Sequence, residues 1–256
     1  MDDKLAQELG GQRLPPRTAS MSPSLLSGDN EAPFAAFELK FIVNATVATR
    51  ILEWARSHLS ADPHAEVSGS GDYHVTTLCL DTQDYAAFHH AAEVRGAKYR
   101  VRRYGEEAFA WLEQKVRNKD RVKKRRTRVP LAEIAQLTAA RWFDDEVRDA
   151  GLAPVCAIAY RRSAFFGDGD HGSFRLTLDR TIVGETRVAW QLDPLGASAL
   201  AIVPDQVVCE LKFREALPHL FKQLVAEIAL EPASFSKYRK IMIAAGLVET
   251  KSTDAH

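Results

Sequence analysis

KYRVRRY at residues 98–104 and WLEQK at residues 111–115 read as two strands whose charges fall on alternate positions. Successive side chains of an extended chain point to opposite faces. Lys98, Arg100 and Arg102 therefore share one face, with Tyr99 and Val101 on the other. Glu113 and Lys115 likewise share a face, opposite Leu112 and Gln114. From Arg95 to Arg128 the chain carries 14 Lys and Arg against 4 Asp and Glu, a net +10. The whole chain has 34 charges of each sign, so the remainder sums to −10. A neutral total thus conceals a polarised molecule, and cations aligned on strand faces point to a polyanion as ligand.

The same alternation recurs along the chain. Glu38 and Lys40 oppose Phe37, Leu39 and Phe41; Arg175, Thr177 and Asp179 oppose Phe174, Leu176 and Leu178; Glu210 and Lys212 oppose Cys209, Leu211 and Phe213. A sheet with one side in water also presents one polar face. Here, however, the polar positions are almost all full charges. Glutamate also stands two residues before lysine three times: ELK at 38–40, EQK at 113–115 and ELK at 210–212. Turned inward, such faces would line a closed barrel with a charged lumen, its apolar exterior covered by amphipathic helices. A barrel of about eight strands holds side chains or one slender ligand. Its lumen would offer cations to phosphates and carboxylates to a divalent metal.

The remaining pattern is consistent with this. Hydrophobic content of 46% and charged content of 27% are ordinary for a globular chain of 256 residues. No stretch approaches the roughly 18 apolar residues of a membrane span. The acidic start, MDDKLAQELGGQRLPPR, lacks the apolar core of a secretory signal. Cys79, Cys156 and Cys209 lack metal-ligand spacing and read as reduced, buried thiols of a cytoplasmic protein. Residues 1–33 read as a disordered leader, 34–248 as the folded domain and 249–256 as a flexible tail. Strands are expected at 36–43, 74–81, 97–104, 108–117, 121–129, 154–166, 173–179, 182–190 and 206–213. Helices are expected from the Asn44 cap to about Ser60, briefly after Asp81, over 131–150, over 215–230 and over 235–246. Few connections are long enough for crossovers, so the pairing should be mostly antiparallel and the fold class α+β.

In order, FELKFIV, LCLDT, KYRVRRYG, LEQK, VKKRR, AYRRSAF, FRLTLD, CELKF and FSKY resemble the vacuolar transporter chaperone (VTC) domain. The likeness runs from about Phe37 to Leu247. That family belongs to the triphosphate tunnel metalloenzymes, related to the CYTH group. The resemblance implies an antiparallel eight-stranded tunnel with helices packed outside. It also implies transfer of the γ-phosphate of ATP to a growing polyphosphate chain, with Mn2+ or Mg2+. By the same resemblance Lys40, Arg100, Arg102, Lys115, Arg162, Arg175 and Lys237 are catalytic phosphate-binding residues. Lys123, Lys212, Glu38 and Tyr238 are further substrate contacts, Glu210 is a metal ligand and Glu113 a second one. Asp81 recurs in the family, and as a residue type it suits the start of a helix.

These residue types suit the chemistry. Arginine engages phosphate oxygens in a two-pronged way, and phosphoryl transfer needs positioning and charge neutralisation more than covalent work. Hydrolytic CYTH relatives carry E-x-E-x-K on the first strand, whereas here Ala36 replaces the first glutamate, which favours the polymerase. The alternatives are a metal-dependent triphosphatase or polyphosphatase, and a non-catalytic polyphosphate-binding module. The glutamates sharing the basic faces would repel a nucleic-acid backbone, so ATP and polyphosphate, not nucleic acid, are the expected partners. With no membrane segment, any coupling to translocation would need a separate membrane protein. No P-loop and no G-x-S-x-G is present. His74, His89 and His90 lack a nucleophile partner, and Ser234 to Lys237 spells S-x-x-K without its companion motifs.

Overall fold

The computed structural model describes residues 36–68, 71–94, 96–118, 121–135 and 140–249. The expected leader, and the tail beyond Glu249, lie outside the described residues. In chain order the elements are β1 (Ala36–Asn44), α1 (Ala45–His58), β2 (Ser60–Ala61), α2 (Pro63–Ser68), β3 (Tyr73–Asp81), β4 (Ala97–Tyr104), β5 (Phe109–Asn118) and β6 (Arg121–Pro130). They continue with α3 (Arg141–Asp149), β7 (Ala153–Gly169), β8 (Gly172–Thr186), β9 (Leu200–Ala201), β10 (Gln206–Arg214), α4 (His219–Ile228) and α5 (Lys237–Ala244).

Eight long strands form one sheet in the order β1-β10-β8-β7-β3-β4-β5-β6, with the two-residue strands β2 and β9 on β7 and β8. Every pairing is antiparallel. The fold is α+β, as the strand pattern predicts. The ladder itself stays open, because β1 and β6 are its two edges. Side chains bridge the gap instead: Lys115 on β5 donates to Glu38 on β1 at 2.9 Å.

Apolar faces of the strands point outward beneath helices. Ile51 of α1 and Phe221 and Leu224 of α4 pack with Phe41, Leu176, Leu178 and Leu211. Phe143 and Val147 of α3 pack with Leu78, Val101 and Leu112. Each such side chain, fully buried, contributes about 1.5–3 kcal/mol. On the cavity side of the sheet instead, Ile241 and Met242 of α5 pack with Cys156, Ile158 and Tyr160 of β7. A Cβ on Gly184 would stand 2.7 Å from Ile241, so the close seat of α5 depends on that glycine.

Three local expectations are corrected. Residues after Asp81 form turns rather than a helix. Asp81 accepts the Thr82 and Ala87 amides on Oδ1 (2.8 and 2.7 Å) and the Phe88 amide on Oδ2 (3.0 Å), so the carboxylate organises the turns in the helix's place. Of the helix expected over 131–150, the described residues form a 3-10 turn at Leu131–Glu133 and α3, and residues 136–139 lie outside them. The strands expected at 173–179 and 182–190 are one strand, β8, continuing through Thr181 at φ +49°. There the β7–β8 register shifts, and the left-handed backbone takes up the irregularity. Elsewhere Asn44 caps α1 by accepting the Val47 amide at 2.9 Å.

Candidate functional site

The concave face of the sheet encloses a cavity of about 400 Å³, lined among the described residues by twelve Lys and Arg and two Glu. That imbalance exceeds the roughly four negative charges of a triphosphate. Three groups of ion pairs build it.

On β1 and β10 the register sets Glu38 opposite Lys212 and Lys40 opposite Glu210. Lys212 lies 3.2 Å from Glu38 and 3.0 Å from Glu210, and Lys40 lies 3.8 and 3.9 Å from them. Burial would raise the Glu38 pKa, but Lys212 and Lys115 hold it at about 2. Partial burial would likewise raise the Glu210 pKa, but Lys212 and Lys40 hold it below the usual carboxylate range. Lys40 also donates to the Phe235 carbonyl at 3.2 Å, and the Ala233 amide donates to the Lys40 carbonyl at 2.7 Å. The segment leading into α5 is thereby fastened to the edge strand.

On β4 to β6, Glu113 gathers cations. Arg100 donates to it at 2.5 Å, Lys124 lies 3.0 Å away and Arg102 3.8 Å. Arg102 also donates to the Thr77 hydroxyl at 3.1 Å. Glu113 is 1% exposed. Burial opposes its charge, yet Arg100, Lys124 and Arg102 push its pKa well down.

On β7 and β8, Arg162 donates to both oxygens of Asp179 (2.7 and 2.8 Å), and Lys237 of α5 donates to the same carboxylate at 2.7 Å. Arg175 is held by buried Asp62 at 2.7 Å and by the Tyr73 hydroxyl at 3.0 Å, with its guanidinium over the Phe166 ring. Tyr238 donates to Asp81, and Arg239 to the Phe88 carbonyl at 2.7 Å, so α5 is pinned from below.

The structure brings Lys40, Arg100, Arg102, Lys115, Arg162, Arg175, Lys237, Lys212, Glu38, Glu210 and Tyr238 to one cavity. It does not place Glu113 as an open metal ligand. That carboxylate is sealed under three cations and positions them instead. The Lys123 side chain lies outside the described residues. The register sets Lys124, not Lys123, opposite Lys115, and Lys124 lines the cavity. Lys98, Lys124, Asp62 and Asp179 escaped the sequence reading of the site. Lys98 and Asp179 could have been found, since each sits in the inward register of a strand already read.

Among the described residues no cluster of three or more His, Cys, Asp or Glu could hold a metal. Glu38 and Glu210 are the two carboxylates that line the cavity among the described residues. Mg2+-type ions are held by one or two carboxylates together with substrate phosphates, and these hard oxygen donors fit that habit.

The VTC domain model matches residues 35–245. The chain belongs to the VTC domain family. None of the curated proteins matches this VTC domain chain. Its fold is similar to solved structures at low identity. A candidate adenylate cyclase from Bacillus halodurans is 12% identical, covering 80% of this chain and 96% of that one, TM-score 0.48. PH1819 from Pyrococcus horikoshii is 10% identical over 81% and 99%, TM-score 0.45. A candidate adenylyl cyclase from Hippeastrum, described as having a dominant triphosphatase activity, is 13% identical over 84% and 97%, TM-score 0.44. Among the described residues no helix is long and apolar enough to cross a membrane.

Proposed function

We propose that this VTC domain is a polyphosphate polymerase that moves the γ-phosphoryl group of ATP onto a growing phosphate chain within its cavity. The observation that carries the reading is the cavity's one-sided charge: among the described residues, twelve cations, with two open carboxylates confined to adjacent strands. Lys40, Arg100, Arg102, Lys115, Arg162, Arg175 and Lys237 would bind and orient the phosphates, with Lys212, Lys124 and Tyr238 adding contacts. Their ion pairs with Glu113, Asp179 and Asp62 fix them before substrate arrives, so little reorganisation is required as charge develops. Glu38 and Glu210 would hold Mn2+ or Mg2+, which when bound supplies charge neutralisation at the transferring group. Both carboxylates are kept ionised by lysines, which suits a metal ligand better than a base that must take a proton from water. Ala36, where hydrolytic CYTH relatives carry glutamate, points the same way.

Incubating purified protein with ATP and Mn2+ and resolving the products by electrophoresis tests this. A ladder of long polyphosphate with released ADP is expected. Free phosphate without polymer would replace the reading with hydrolysis. Tight polyphosphate binding without turnover would leave a binding module.

A further inference from the structure

Cys79 on β3 and Cys156 on β7 stand directly opposite each other in the antiparallel register. Opposed residues of such strands have Cα atoms about 4.5 or 5.5 Å apart, and a disulfide accepts about 4.4–6.8 Å. Both thiols are free. Their surroundings differ. Cys79 lines the cavity, whereas Cys156 beside it is fully covered, packed in one cluster with Ile241 and Met242 of α5. On its other side Cys79 faces Arg100, its register partner on β4. The Cys156 thiol beside it, with Arg100, Arg102 and Lys98 nearby, pulls the Cys79 pKa down despite burial. The neighbouring Cys79 sulfur and burial push the Cys156 thiol well above its ordinary range. One sulfur is therefore prepared as a nucleophile and its neighbour as the proton-bearing partner. Cys209 differs from both: it is wholly buried on β10, with Phe41 and Leu178 as its register partners.

We propose that Cys79 and Cys156 form a peroxide-oxidisable dithiol in the cavity wall, with Cys79 as the attacking sulfur and Cys156 as the resolving one. The Cys79 thiolate attacks one oxygen of hydrogen peroxide. The O–O bond breaks, hydroxide leaves, and Cys79 becomes a sulfenic acid. Cys156 then gives up its proton and its sulfur attacks Cys79. The S–O bond breaks, water leaves, and an S–S bond links β3 to β7. In sum two thiols and one peroxide give one disulfide and two waters; the sulfurs are oxidised and the peroxide oxygens reduced. The cross-link removes the Cys79 thiol from beside Arg100 and ties together the two strands that carry Thr77 and Arg162.

The test treats the native full chain with hydrogen peroxide, then denatures it, alkylates it and maps the cysteines by mass spectrometry. A loss of two hydrogens, a linked Cys79–Cys156 peptide and a freely alkylated Cys209 are expected. The alkylated Cys209 would show that the chain had not unfolded to react. In C156S the linked peptide should vanish, and dimedone should label Cys79. Recovery of Cys79 and Cys156 as free thiols, cross-linking through Cys209, or absence of the dimedone adduct on Cys79 in folded C156S would overturn the proposal.

Discussion

Replacing Asp179 by Asn keeps the side-chain shape and removes the charge that Arg162 and Lys237 share. Asp179 is 1% exposed and accepts three hydrogen bonds of 2.7–2.8 Å from those two cations. Burial would raise its pKa, but Arg162 and Lys237 hold it at about 2, against an ordinary 3.8. At about 1.4 kcal/mol per unit, that depression corresponds to about 2 kcal/mol of stability at pH 7. The folded pKa lies below the unfolded one, so this contribution is complete above 3.8 and is lost as pH falls through about 2. Asparagine also leaves Arg162, its side chain only 12% exposed, without its counter-charge, and breaking a buried pair from one side costs about 3–5 kcal/mol. Urea denaturation of D179N at pH 7 should therefore show a loss of about 3 kcal/mol. The gap to the parent should narrow as pH is lowered from about 4 toward 2. It should also narrow in saturating tripolyphosphate, whose anionic oxygens can take the vacated place beside Arg162. A variant within about 0.5 kcal/mol of the parent at pH 7, the range of an inconsequential surface change, would refute the reasoning.

Arg100→Ala should weaken tripolyphosphate binding by about 1.5–3 kcal/mol, the usual worth of a charged hydrogen bond; unchanged affinity by calorimetry would mean Arg100 does not reach the ligand. Glu210→Ala should abolish turnover of ATP with Mn2+ while the circular dichroism spectrum stays native, and retained activity would remove Glu210 from metal binding. Gly184→Ala should cost about 1–3 kcal/mol in urea denaturation by overpacking against Ile241. Because α5 carries Lys237, that variant should also lose tripolyphosphate affinity, and native stability would show that α5 shifts without cost.

The strand faces were legible because their charges alternate so regularly. β1, β3, β4 and β10 start and end within about a residue of where alternation places them. What alternation cannot supply is which residue faces which across strands. The family resemblance put Glu113 second among the metal ligands, yet register sets it opposite Arg100 on one side and Arg126 on the other. A one-residue slip turns a side chain to the other face, and the choice between Lys123 and Lys124 turned on that. Asp179 was read on the inward face, but its partnership with Arg162 depends on the β7–β8 register. Asp62, 113 residues from Arg175, comes from the short link between β2 and α2 and carries no local signal. The open edge between β1 and β6 was equally hidden, since strand count and alternation fit a closed barrel as well as one bridged by Lys115 and Glu38.

The central claim is that this cavity joins phosphates rather than releasing them. Phosphorus NMR of the full chain with ATP and Mg2+ reads that directly, because mid-chain phosphate and orthophosphate give separate resonances. A growing mid-chain signal matched by ADP is expected. Orthophosphate rising in step with ADP, with no mid-chain signal, would contradict it.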